Sequence, residues 1–139
     1  MLSAGVVADA NVLLSAVTGK AAYRVFSEFS LPVHTTLFNT EEVLEYLPRL
    51  ASKYRLPLEI LQLQWKLLPL EVHSRESYRE HLEPARQLLL SRDPDDAHPL
   101  ALARTLSLPL WSNDSDLANV GVDCYTTARL LKVLDEQRP

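Results

Sequence analysis

Short unbroken apolar runs alternate along the chain with longer stretches whose apolar residues recur at helical spacing. Val6-Val7-Ala8 is the first run and reads as a buried strand that stops at Asp9, with helical potential resuming after Asn11. Helices are predicted over Asn11–Val17 and Ala21–Phe29, with Gly19 as the break between them. Leu31–Thr36 reads as a second strand. Asn39 or Thr40 is placed to cap a helix over about Glu41–Tyr54, with Val43, Leu47, Leu50 and Tyr54 along one side. Pro48 falls inside that helix and predicts a kink or an early stop. Pro57 opens a helix over Leu58–Leu68 whose apolar content, including Ile60, Leu63, Trp65 and Leu67, predicts heavy burial. Leu70–Val72 reads as a third strand, and Ser77–Ser91 as an amphipathic helix. A helix over Asp95–Leu106, strands Leu108–Ser112 and Asp123–Thr126, and a helix over Ala128–Glu136 complete the pattern. Strands separated by helices predict one α/β domain over residues 1–139, a parallel β-sheet flanked by α-helices on both faces.

Composition narrows the functional classes. A chain of 139 residues, 47% hydrophobic and 23% charged, is ordinary globular material with enough length for one core. A net charge of −4 argues against a binder driven by overall positive charge, though not against a locally basic rim. The single cysteine, Cys124, makes neither an intrachain disulfide nor a thiolate zinc site and fits a reducing, cytoplasmic compartment. No basic n-region precedes the first apolar run, and no window approaches the ~18 apolar residues of a membrane span. The three glycines are too far apart for a Walker A loop or a GxGxxG fingerprint.

The acids carry the chemical signal. Six of the eight aspartates (Asp9, Asp93, Asp95, Asp96, Asp114 and Asp116) fall at three strand ends or helix starts. Helix caps explain one Asp per site, but DPDD and NDSD each supply more than a cap uses. Carboxylates pointed at one crevice repel and raise each other's pKa values. Hard divalent cations remove that conflict, and oxygen ligands suit Mg²⁺ or Mn²⁺. Two such ions about 4 Å apart can activate water and stabilise a leaving oxygen, which points to phosphodiester chemistry. The four histidines, His34, His73, His81 and His98, share no ligand spacing. Trp65 and Trp111 read as core or interface residues rather than base-stacking platforms. Arg24, Arg92 and Arg104 are candidates for a phosphate-contacting rim.

VVADANVLLSA, TEEVLEYLPRLASK, RDPDDAHPLALA and LPLWSNDSDL, in that order, resemble the motifs of a PIN domain, the ribonuclease fold of VapC-type toxins. The resemblance runs from Val6 to about Leu131. It implies a Mg²⁺- or Mn²⁺-dependent endoribonuclease leaving 5′-phosphate and 3′-hydroxyl ends. It also implies a small antitoxin that blocks the crevice, and a homodimer. Asp9, Asp96 and Asp114 match the family's first, third and fourth acids, and Asp116 its auxiliary acid. Asn11 and Ser112 match the polar positions that orient these carboxylates, with Asp93 as a further polar neighbour or a turn residue before Pro94. For the second acid, a turn of about 100° per residue sets Glu45 opposite the apolar side and Glu42 on its flank beside Tyr46, which selects Glu42. The alternative reading is a PIN-like scaffold without catalysis that binds RNA or protein. A phosphoacceptor receiver domain is disfavoured because Asp9 has no acidic neighbour and no Lys follows the last strand until Lys132.

Overall fold

The computed structural model describes residues 2–89 and 93–138. Val6–Ala8 forms β1, and its three residues are fully buried, as expected of a strand covered on both faces. The chain then runs through α1 (Ala10–Val17), α2 (Tyr23–Ser27) and β2 (Val33–Thr36) into α3 (Leu37–Tyr54) and α4 (Leu58–Leu67). β3 (Leu70–His73), α5 (Arg75–Leu89), a 3₁₀ turn at Pro94–Asp96 and α6 (Ala97–Leu106) follow. β4 (Leu110–Trp111), a 3₁₀ turn at Ser115–Leu117, β5 (Cys124–Tyr125) and α7 (Thr127–Glu136) close the fold. All strands are parallel, in the order β3-β2-β1-β4-β5. Alternation along β1 divides the core. Val6 and Ala8 pack with α1, α2, α3, α4 and α7, while Val7 packs with α5 and α6.

Connections from β1 lead toward β2, and the connection from β4 leads the other way to β5. The carboxyl ends of β1 and β4 therefore flank the point where strand order reverses, the ligand crevice of open α/β sheets. At the opposite end Gly5 holds φ at +106°, where a Cβ would lie 2.3 Å from the Pro32 carbonyl oxygen. Only glycine lets β1 enter the sheet that close to the segment leading into β2.

Several elements differ from the sequence expectation. α3 begins at Leu37, because Thr36 at the end of β2 takes the cap and accepts the Asn39 amide at 2.9 Å. Thr40 instead donates back to the Leu37 carbonyl, and Asn39 is left available to the site. Pro48 does not end α3. It leaves only the Leu44 carbonyl without its helical donor, on an exposed face where water can serve. The predicted heavy burial of α4 is wrong: Leu61 alone is fully buried, whereas Leu63 is 54% and Leu67 67% exposed. α2 is also shorter than expected, Tyr23–Ser27 against Ala21–Phe29. Ser91, at the predicted end of α5, and Arg92 lie outside the described residues.

Candidate functional site

Asp9 follows β1 directly and caps α1, its Oδ1 accepting the Val12 amide at 3.0 Å. Its Oδ2 accepts the hydroxyl of Ser112, the residue after β4, and the Ser112 Oγ in turn accepts the Asp114 amide at 3.0 Å. One buried hydroxyl thus ties the acid of the central strand to the acid-bearing loop of its neighbour. Asp114 Oδ1 accepts the Asp116 amide at 2.9 Å and caps the second 3₁₀ turn. Asn113 Oδ1 accepts the Thr127 amide and holds the same loop to α7.

The facing wall comes from α3 and the 3₁₀ turn before α6. A cleft of about 180 Å³ is lined by Asp9, Asn11, Asn39, Glu42, Tyr46, Asp93, Asp95 and Asp96. Glu42 is oriented from its own helix: Thr36 Oγ1 donates to Asn39 Oδ1 at 2.6 Å, which turns Asn39 Nδ2 toward Glu42 Oε1 at 2.8 Å. Asp93 Oδ1 accepts the Asp95 amide, so it serves the turn as well as the cleft.

Mutual repulsion marks this cluster. Burial pushes the Asp96 carboxyl up to about 7, and the charges of Asp114, Asp93, Asp9 and Glu42 add to it. The Asp9 carboxyl is raised by its burial, against the Ser112 and Val12 hydrogen bonds, with Asp114 adding repulsion. Glu42 is raised by burial as well, offset by Asn39 and reinforced by Asp95, Asp93 and Asp9. Asp96 is the acid on which the others act most, and all of them stand at one end of the sheet.

Placement of the expected residues is therefore uneven. Asp9, Glu42, Asp93, Asp96 and Asn11 line one cleft, and Asp114 joins them through Ser112 and its charge. Glu45 is exposed. Asp116 is exposed, does not line the cleft, and meets the site through its backbone amide. Arg24 belongs elsewhere, paired with Glu28 and Asp135, and Arg104 lines a separate depression with Pro109 ahead of β4. Trp111 is wholly buried, its indole donating to Thr127 Oγ1 at 2.9 Å. Asn39 and Tyr46 were not selected from the sequence, and Asp95 was counted among the acids without a role of its own. The i+3 spacing from Asn39 to Glu42 was the available signal for the first of them. His34 and His73 meet across β2 and β3 at 3.0 Å, a pairing set by parallel register rather than by spacing in the chain.

The donor set suits a hard divalent cation: carboxylate oxygens with amide and hydroxyl groups between them, and acids made reluctant to ionise by one another's charge. Among the described residues, however, no three His, Cys, Asp or Glu side chains converge tightly enough to form a ready-made metal site.

Strand order and cleft together define an α/β protein with an acidic site at the switch point of its sheet. The PIN domain family model matches residues 7–135, and the chain belongs to that family, whose members are generally nucleases. The fold is similar to the crystal structure of PAE2754 from Pyrobaculum aerophilum, with a TM-score of 0.74 and 17% identity, covering 97% of this chain and 92% of that one. It is also similar to a chain in a toxin–antitoxin complex from Klebsiella pneumoniae, with a TM-score of 0.67 and 20% identity, covering 88% and 98% respectively. At such identities the likeness is one of fold. No curated protein matches the chain significantly. Among the described residues no helix is long and apolar enough to cross a membrane.

Proposed function

We propose that this PIN domain is a Mg²⁺- or Mn²⁺-dependent endoribonuclease and the toxin of a toxin–antitoxin pair. The observation that carries the reading is the cleft at the sheet's switch point that Asp9, Glu42 and Asp96 line together, with Asp114 tied to Asp9 through Ser112 and its charge raising the Asp96 pKa. Asp9, Glu42, Asp96 and Asp114 are the residues to hold the ions, with Asp116 beside them. A bound divalent cation supplies Lewis acidity toward a scissile phosphodiester. Ser112 fixes both the Asp9 carboxylate and the Asp114 backbone, so the two acids keep their relative position as a polyanion approaches. Asn39 holds one oxygen of Glu42 and leaves the other toward the cleft. Asn11 and Asp93 line the same cleft. The toxin assignment draws on the likeness to the Klebsiella complex, and a small antitoxin and a second copy of the chain are its protein partners. Exposed Ile60, Leu63 and Leu67 on α4 support a protein contact. An RNA substrate places the work in the cytoplasm.

The spacing of the described acids, which share a cleft without forming a ready-made metal site, favours a second reading, a PIN module that binds RNA or protein without cutting it. One assay separates the two. A panel of structured RNAs is incubated with Mn²⁺ or Mg²⁺, with EDTA and Asp9→Asn as controls. Cutting that needs the metal and disappears in the variant supports the nuclease. No cutting with either metal, or cutting that survives Asp9→Asn, refutes it.

A further inference from the structure

Beside the acidic cleft lies a second depression of about 250 Å³ between α1 and α3, lined by Asn11, Ser15, Thr18, Lys20, Tyr46 and Tyr54 among others. Asn11, Leu14 and Tyr46 border both, so the two are continuous. Glu42, Tyr46, Leu50 and Tyr54 recur at every fourth position of α3 and form one ridge, which runs about 18 Å from the acid to the last tyrosine.

Along that ridge the chemistry changes from acidic to aromatic, with cations flanking the aromatic end. Lys20 Nζ donates to the Tyr54 hydroxyl at 2.6 Å and lies 4.7 Å from its ring centroid. Lys53 stands 5.4 Å from the same ring, and Arg49 stands 5.0 Å from the ring of Tyr46. Both tyrosines are exposed. Among the described residues none of these three cations is in a salt bridge, whereas Arg24, Arg79, Arg86 and Arg138 each have a carboxylate within reach. In a chain of net charge −4 this is a local concentration of positive charge held on ring faces and open to an outside anion.

We propose that the α1–α3 groove is a track for single-stranded nucleic acid, which seats bases on Tyr46 and Tyr54 and backbone phosphates on Lys20, Arg49 and Lys53, and delivers the strand to the acidic cleft. The inference rests on the nuclease reading for its purpose. A single strand fits better than a duplex because stacking on a tyrosine needs a base free of its own helix. It fits better than a peptide segment because Lys20 in the groove and Arg49 and Lys53 beside it, none in a salt bridge among the described residues, stand next to exposed tyrosine rings.

The test is binding without cleavage. A fluorescein-labelled single-stranded RNA of about 12 nucleotides is titrated in EDTA and followed by anisotropy at several salt concentrations. The combined Lys20→Gln, Arg49→Gln, Lys53→Gln variant is expected to bind at least about tenfold more weakly and to lower the slope of log affinity against log salt by about 2, at 0.7 per phosphate contact. The Tyr46→Leu, Tyr54→Leu variant is expected to lose about tenfold or more in affinity at an unchanged slope, with Phe at both positions restoring binding. Arg79→Gln on α5 is the control and leaves both quantities alone. Wild-type affinity in the groove variants, an equal loss in the control, or a change in oligomeric state with RNA affinity intact overturns the track. The nuclease reading is judged separately: wild-type protein that binds through the groove and cuts no RNA refutes the nuclease and leaves the track standing.

Discussion

Replacing Asp9 by Asn should make the protein more stable when no divalent cation is present. Asp9 is 4% exposed, and its charge is opposed by Asp114. An Asn keeps the cap, since one oxygen still accepts the Val12 amide. It cannot also accept from Ser112 on a second oxygen, which forfeits about one hydrogen bond, ~1 kcal/mol. Against that stands the removal of a buried, repelled carboxylate, a desolvation penalty of several kcal/mol. The net gain is about 1–2 kcal/mol, roughly 3–7 °C in Tm for a chain of this size. The pH dependence has a fixed sign. Because the folded-state pKa of Asp9 is raised, the penalty is present in full above it and fades as pH falls toward the ordinary value of 3.8, where folded and unfolded chains are both protonated. The variant's advantage should therefore shrink on acidification. Mg²⁺ at about ten times its dissociation constant should return about 1.4 kcal/mol to the wild type and nothing to the variant. The assay is a set of thermal melts in EDTA and in Mg²⁺. An Asp9→Asn protein less stable than wild type in EDTA near neutral pH, or one with an undiminished Mg²⁺ response, would refute the reasoning.

Four further outcomes are expected. Tyr78→Phe leaves the buried His98 Nδ1 without the hydroxyl now 2.7 Å away and should cost about 1–3 kcal/mol in urea unfolding. Burial holds the His98 pKa down to about 4, below its ordinary 6.5. Its contribution to stability is thus complete above pH 6.5 and lost between 6.5 and 4, about 3 kcal/mol in all. The difference between wild type and His98→Gln should follow that window, free of the opposite slope from Asp96. Asn39→Ala frees the Glu42 carboxylate at the cost of one hydrogen bond and should lower kcat about tenfold with KM little changed, read from initial rates of RNA cleavage. Gly5→Ala combines a φ of +106° with a clash at the Pro32 carbonyl and should destabilise by about 2 kcal/mol or more, measured by thermal melt.

How far the sequence revealed all this depends on the kind of signal. β1 was legible because three consecutive apolar residues ending at an Asp have few other readings, and it proved fully buried. Strand–helix alternation likewise announced a parallel sheet flanked by helices. α4 was misread because apolar content was weighed without its position. Packed on α3 and α1, the helix has only one stripe covered, which leaves Leu63 and Leu67 outside. Asp9 and Asp96 were visible as acids at element ends. Asn39 was not, because Thr36 took the cap expected of it, and a strand's final residue gives little sign that it will cap the next helix. The His34–His73 pair depends on register between β2 and β3, which single-chain spacing does not encode.

The hydrogen bond between Ser112 and Asp9 spans 103 positions of the chain. β1 is made first, yet its partner β4 comes near the end of synthesis, and contacts so distant in sequence form late because the loop between them must close first. A growing chain therefore carries Asp9, Glu42 and Asp96 past the ribosome as separate acids. They acquire a common framework only after residues 110–114 have emerged and paired. On the proposed nuclease reading, that order keeps the half-made polypeptide from cutting the ribosome and messenger that are producing it.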